Sequence, residues 1–128
     1  MSLCVVTAGK TLTLAVSLFT LSWTHSVEKT GWQEDWQVSK AGLQLLQARV
    51  KGSGAGMEPG DGAVLRDGWW EWQPQLPPQS GLLLAASGAT GQGWSLCSSG
   101  HECLALAVMP GEPVSLSFCE NQAVKPAL

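Results

Sequence analysis

The sequence predicts an all-β chain, a single antiparallel β-sandwich or partly closed barrel of about ten short strands, with residues 1–128 forming one domain. Three observations carry that expectation. Apolar residues alternate with polar ones over short runs, the period of a half-buried strand. The runs are separated by Gly, Pro, Asn, Asp and Ser, the residues that end strands and make turns. No stretch shows the 3.6-residue apolar repeat of an amphipathic helix. At 128 residues, 45% hydrophobic and 13% charged, the chain can build one core and not two. Two packed sheets, or one sheet curled on itself, is then the economical solution.

Taken in order, the first candidate strand is 2–7, where Leu3 and Val5 share a face and Cys4 takes the other. In 11–16, Leu12, Leu14 and Val16 keep one phase, whereas Phe19, Leu21, Trp23, His25 and Val27 of 19–27 keep the opposite one. A phase change near Leu18 marks a turn or bulge between two strands. Lys10 followed by "TLTLAVSLFTLSW" has the outline of a signal peptide, but it lacks a small-residue cleavage site and is interrupted by Thr and Ser. It is also too short and polar to span a membrane. "SKAG" turns strand 32–39 into 43–50, and the Asp-Gly of "RDGW" makes a tight hairpin of 63–66 and 69–73. "QPQLPPQS" reads as a stiff surface connection, since proline cannot donate to a central ladder. Strands 81–86, 93–97, 103–108 and 114–119 follow, the last with Val114, Leu116 and Phe118 inward. The chain shows no linker, repeat or low-complexity tail.

The four cysteines fit an oxidising compartment better than a reducing one. In "WSLCSSGHECLAL" a hairpin with the loop 98–102 sets Cys97 opposite Cys103, Leu96 opposite Leu104 and Trp94 opposite Leu106. A disulfide across the loop follows. The rival is a metal site of Cys97, His101 and Cys103, which lacks a fourth ligand and has no usual zinc spacing. Cys4 and Cys119 both point away from their strands' apolar faces. If the terminal strands are neighbours, a Cys4–Cys119 bond closes nearly the whole chain; otherwise both are free thiols.

Seven tryptophans against two phenylalanines and no tyrosine make large rings the core anchors or the floor of a ligand pocket. Three of them crowd into "WTHSVEKTGWQEDW". A hairpin with the loop 28–31 pairs Val27 with Trp32, His25 with Glu34, Trp23 with Trp36 and Leu21 with Val38, all on one face. His25 and Glu34 are then the only polar members of an apolar face. Such a pair serves either as a buried register-fixing contact or as part of a binding site, in which each group shifts the other's protonation. "KGSGAGMEPGDG" carries glycines at 52, 54, 56, 60 and 62. It lacks the spacing and following helix of a phosphate loop. A structural turn is its simpler role; as a nest of backbone N–H groups beside Lys51 it is a candidate anion contact.

"FTLSWTHSVEKTGWQEDW", "GSGAGME" and "DGWW", in that order and spacing and continuing through "WSLC" to the final "C", resemble the domain-of-unknown-function family numbered 1850 over nearly the whole chain. The family motif falls on His25, Ser26, Glu28, Lys29, Thr30 and Glu34, and on Gly52, Ser53, Gly54, Gly56 and Met57. The resemblance implies a small bacterial protein, encoded beside TRAP transporters of the TAXI type, whose binding proteins work outside the cytoplasmic membrane. It implies a context and not a reaction. A periplasmic or extracytoplasmic location is therefore expected. The sequence starts directly at its first strand, which leaves two expectations open: an upstream start with a leader, or a cytoplasmic member with reduced cysteines.

Net charge of −3 with no basic run argues against nucleic acid. Two function classes remain. In the first the chain is a non-enzymatic binding or accessory module of a TAXI-type TRAP transporter, without cofactor or metal, in which His25, Glu28, Lys29, Glu34, Gly52, Ser53, Gly54 and Gly56 hold a small carboxylate, another anion or a partner loop. In the second it is a small hydrolase or metal-dependent enzyme with His25 as base or ligand and Glu28 or Glu34 as carboxylate. Ser26 adjoins His25 in one strand and so points to the other face, which leaves no oriented nucleophile.

Overall fold

The structure is a computed structural model that describes residues 1–24, 31–51, 62–86 and 93–119. Among them are eleven strands and no helix: β1 Ser2–Thr7, β2 Lys10–Leu14, β3 Leu18–Thr24, β4 Gly31–Ser39, β5 Gly42–Lys51, β6 Val64–Arg66, β7 Trp69–Trp72, β8 Leu82–Leu84, β9 Trp94–Cys97, β10 Leu104–Leu106 and β11 Val114–Cys119. Each falls on one of the runs expected from alternation. They form two antiparallel sheets, a four-stranded one ordered β2-β1-β11-β8 and a seven-stranded one ordered β10-β9-β3-β4-β5-β7-β6. The architecture is a sandwich of two open sheets, not a barrel.

The core is what alternation buries between the sheets. Leu3, Val5, Leu84, Val114 and Leu116 come from the four-stranded sheet; Phe19, Leu21, Trp36, Val38, Leu43, Leu45, Leu96 and Leu106 come from the other. The expected phase change at Leu18 is the crossing between them: after β2, Val16 is buried and the Ser17 carbonyl accepts from Val38 N–H at 2.8 Å. A second phase change lies within β5. Asp35 pairs with Gln47 but Trp36 with Leu45, leaving Leu46 unpaired in a bulge. The extra residue lets Leu43, Leu45, Ala48 and Val50 all face inward although their numbers switch parity.

The turns follow their residues. Asp67 and Gly68 have φ of 50° and 86°, the doubly positive geometry of a tight hairpin that Asp-Gly accommodates. Gly42 closes the β4–β5 turn, and there glycine is required by space as well as by φ: a Cβ would meet the Gln79 carbonyl oxygen at 2.4 Å. That carbonyl and the Gln79 N–H exchange hydrogen bonds with Leu43 at 2.7 and 2.8 Å, tying the proline-rich connection along the end of the sheet.

One expected register is corrected. β3 and β4 pair Trp23 with Trp32, Leu21 with Glu34 and Phe19 with Trp36, not Trp23 with Trp36. The displacement is four residues. An even slip keeps every side chain on its face, so phase matching alone does not distinguish the two registers. What favours the observed one is the match across the strands: two core rings, Phe19 and Trp36, sit opposite each other, and Thr20 Oγ1 donates to Asp35 Oδ1 at 2.8 Å.

Both disulfides join the cysteines paired by the sequence reading. The hairpin places Leu96 opposite Leu104 and Trp94 opposite Leu106, and Cys97–Cys103 closes it. β1 and β11 are neighbours, with Cys4 bonded to Cys119 across a sequence separation of 115. In the chain-entropy model the constraint grows with the logarithm of the loop closed. Opening Cys4–Cys119 by a double Cys→Ser change is expected to cost about 4–5 kcal/mol, and opening Cys97–Cys103, separated by six, about 2 kcal/mol. Parallel denaturant unfolding of the two double variants checks the order.

Candidate functional site

The two faces of the seven-stranded sheet differ in chemistry. Alternation points six of the seven tryptophans inward: 23, 32, 36, 70, 72 and 94. Four form a row across the strands: Trp94 lies 4.6 Å from Trp23, Trp23 stacks on Trp32 at 6.0 Å, and Trp32 meets Trp72 edge-on at 6.1 Å. Trp94 Nε1 donates to the Ala85 carbonyl at 3.1 Å, a link to the chain just beyond β8 of the other sheet. Glu34 shares this inner face, opposite Leu21 on one side and Ala48 on the other. Its Oε1 accepts from Trp36 Nε1 at 3.1 Å. Burial pushes the Glu34 carboxyl up, and the Trp36 hydrogen bond offsets only part of that. Trp32 Nε1 is buried with no partner among the described residues.

The outer face holds a polar network. Arg49 Nη1 and Nη2 donate to the two oxygens of Asp35 at 2.8 and 2.9 Å, a two-point grip in which Thr20 also joins. Arg49 Nε donates to Gln33 Oε1 at 3.0 Å. On the next strand Glu71 Oε1 accepts from Gln47 Nε2 at 3.3 Å and pairs with Arg66 Nε at 3.5 Å. Burial pushes the Asp35 carboxyl up, but the Arg49 and Thr20 hydrogen bonds and the Arg49 charge together outweigh it and hold it below the usual carboxylate range. The bond to Asp35 in turn raises Arg49 against its own burial, helped by the charges of Asp35 and Glu71.

Beside this network, at the end of the sheet where β3 finishes and β4 begins, an open cleft of about 240 Å³ lies over the outer face. Ser22, Thr24, Gly31, Gln33 and Ser95 line it together with Trp23, Trp32 and Gly93, and Trp69 forms a wall. Trp69 is the one tryptophan that alternation turns outward. It folds over Gly31, whose missing side chain leaves 3.5 Å between a would-be Cβ and the ring. Lys51, paired with Trp69 across the strands, carries its ammonium 5.5 Å from the ring centroid.

Of the residues that the sequence singled out, Glu34, Lys51, His101 and the four cysteines lie within the described residues. His25, Glu28 and Lys29, and Gly52, Ser53, Gly54 and Gly56, lie outside them. The expected His25–Glu34 pairing is overturned from the Glu34 side, because both cross-strand positions beside Glu34 are taken by Leu21 and Ala48. The described strands that lead into 25–30 and 52–61 do end together: Trp32 pairs with Val50, so Thr24, Gly31 and Lys51 share one end of the sheet.

The family model described as "Domain of unknown function (DUF1850)" matches residues 19–105, more than half of the chain. The chain belongs to this family. The DUF1850 match runs from β3 into β10, and so covers nearly all of the seven-stranded sheet; β1, β2 and β11, with the Cys4–Cys119 bond, lie outside it. No curated protein and no solved structure matches the chain.

Sequence reasoning missed the outer-face network and the Trp69 cleft. The network has a readable signal, since Thr20, Gln33, Asp35, Gln47, Arg49 and Glu71 occupy the polar phases of consecutive strands. The cleft depends on which strands become neighbours, as Gly31 and Trp69 lie far apart in the chain.

Asp35 and Glu34 are adjacent but face opposite ways, and their pH contributions have opposite signs. A lowered Asp35 adds stability above its unfolded value, about 3.9, which is lost as pH falls through the folded one. Asp35→Asn should therefore cost about 1–2 kcal/mol at pH 7, less than a fully buried pair because both partners are partly exposed, with the difference narrowing below about pH 4. A raised Glu34 contributes below its unfolded value, about 4.3, and its contribution is lost as pH rises through the folded one. Glu34→Gln should gain on the wild type between acid and neutral pH. Thermal unfolding of the three proteins from pH 3 to pH 8 reads both slopes.

Proposed function

We propose that this chain is a non-enzymatic binding or accessory module that works with a TAXI-type TRAP transporter, engaging a small ligand or a partner loop on the outer face of its seven-stranded sheet. The observation that carries a binding role is the contrast on that face. Asp35 is gripped by Arg49 and Thr20 in a preorganised network, with Glu71 held by Gln47 and beside Arg66, while the neighbouring cleft combines hydroxyl and amide groups with an outward tryptophan that carries the Lys51 ammonium over its ring. Preorganised polar groups beside an aromatic wall suit recognition, because little ordering is left for the partner to drive. The transporter context rests on the family resemblance. Two disulfides support an oxidising, extracytoplasmic setting.

The hydrolase or metal-enzyme reading took Glu28 or Glu34 as the carboxylate partner of His25, and only Glu34 was placed with His25 by the expected register; His25 and Glu28 lie outside the described residues. Glu34 instead opposes Leu21 and Ala48 and accepts from Trp36, which removes the register on which that dyad was built. The binding reading is the better supported of the two.

Affinity purification of the tagged, disulfide-intact chain, co-expressed with the transporter's membrane subunit and its substrate-binding protein, tests the proposal. One of the two is expected to be retained, and Trp69→Glu to reduce retention about tenfold or more, as for a buried aromatic anchor. Retention of neither, under conditions in which those two bind each other, overturns the transporter association.

A further inference from the structure

The cleft over Gly31 has a chemical bias that follows from what surrounds it. No Asp or Glu is among the described residues that line it. The outer-face carboxylates nearest in register, Asp35 and Glu71, are held by Arg49 and Arg66. Lys51 stands at the rim, its Cβ 4.0 Å from the position of a Gly31 Cβ, and it has no ion-pair partner among the described residues. The Gln33 amide is oriented as well: its oxygen accepts from Arg49 Nε, so its NH₂ group is turned away from Arg49 and has no acceptor among the described residues. Ser22 pairs with Gln33 on one side and with Ser95 on the other, adding hydroxyls to the same floor. The polar groups that the described residues bring to this floor are donors or hydroxyls, and the wall is the indole of Trp69. Among the described residues a cation finds no counter-charge here, whereas an anion finds an ammonium held over Trp69 without an ion-pair partner and an amide already aimed.

Resting on the reading of this face as the binding surface, we propose that the cleft is a site for a small carboxylate with a planar or apolar body, its carboxylate held by Lys51 and the Gln33 amide and its body laid against Trp69. At about 240 Å³ the cleft lies just below the range of pockets for drug-sized ligands, which fits a compound of one ring or a short branched chain. A Cβ at Gly31 would only touch the Trp69 ring, at 3.5 Å, but a longer side chain there would compete with a ligand for the space beside the ring.

The test is NMR titration of the ¹⁵N-labelled, disulfide-intact chain with sodium benzoate, sodium acetate and neutral benzamide. Benzoate is expected to shift the Gln33 side-chain amide and the Trp69 indole N–H saturably, acetate to act on the same signals more weakly, and benzamide to leave them unmoved. Lys51→Met should weaken benzoate about tenfold or more, the range for losing a charge-assisted contact, and Lys51→Arg should restore most of it. Trp69→Leu should weaken benzoate and spare acetate. The proposal is overturned by the absence of a saturable response up to ~10 mM benzoate, ten times a Kd of ~1 mM. It is equally overturned if benzamide titrates as benzoate does, if Lys51→Met leaves benzoate binding unchanged, if Trp69→Leu spares it, or if the responding signals lie away from the cleft. Retention by the transporter subunits is read separately, so saturable benzoate binding without retention removes only the transporter association, and retention without benzoate binding removes only the carboxylate site.

Discussion

The pairing of β1 with β11 is the contact on which the rest of the molecule depends. It brings the first and last strands together, and through them a four-stranded sheet comes to lie over the inner face of the seven-stranded one. Leu3, Val5 and Leu116 on these strands are fully buried, and so are Leu21, Leu43, Val38 and Leu96 beneath or beside them. Burial of this kind stabilises by roughly 25 cal/mol per Å² of apolar surface, so a sheet that lost its cover would leave its inner leucines and tryptophans exposed together. The Cys4–Cys119 bond acts on the same joint by limiting how far the two strands separate in the unfolded chain.

With one face of the seven-stranded sheet committed to the core, its other face is free to carry polar chemistry, and the pleat divides the work residue by residue. Glu34 and Asp35 show how sharply. One is turned in, loses solvent, and is pushed toward its protonated form although Trp36 donates a hydrogen bond to it; the next is turned out and held ionised by Arg49 and Thr20. The bulge at Leu46 sustains the division along β5. Without the extra residue, Ala48 and Val50 would point outward and Arg49 would be driven into the core, breaking the Arg49–Asp35–Gln33 contacts. A buried arginine without its carboxylate is among the costliest arrangements a small core can hold.

The tryptophans follow the same rule. Trp69 and Trp70 are consecutive, so a strand must send them to opposite faces; Trp70, opposite Val50, takes the inner face and Trp69 becomes the wall of the outer cleft. The aromatic content that made this sequence unusual thus serves two purposes. Trp36, Trp23 and Trp94 anchor the packing, and the single outward ring, beside Lys51 and above Gly31, gives the polar face a surface on which an apolar body can rest.

By itself the sequence determined the strands, most of their faces and the Cys97–Cys103 pair, because each of these is written in local periodicity and in the parity of one short hairpin, whereas Cys4–Cys119 depended on β1 and β11 becoming neighbours. Alternation placed Leu3, Val5, Leu116 and Phe118 on inward phases, and the loop between Cys97 and Cys103 set its own register. Only the tertiary structure decided the β3–β4 register, because a slip of four residues leaves every face unchanged and the choice is made by what lies across and above: Phe19 against Trp36, Thr20 against Asp35, Ala48 beside Glu34. That choice removed the His25–Glu34 pair. It also created the cleft, whose members lie on β3, β4, β7 and β9 or just before it, and meet only through strand order. Strand order is set by long-range packing, for which no short window of sequence carries a signal.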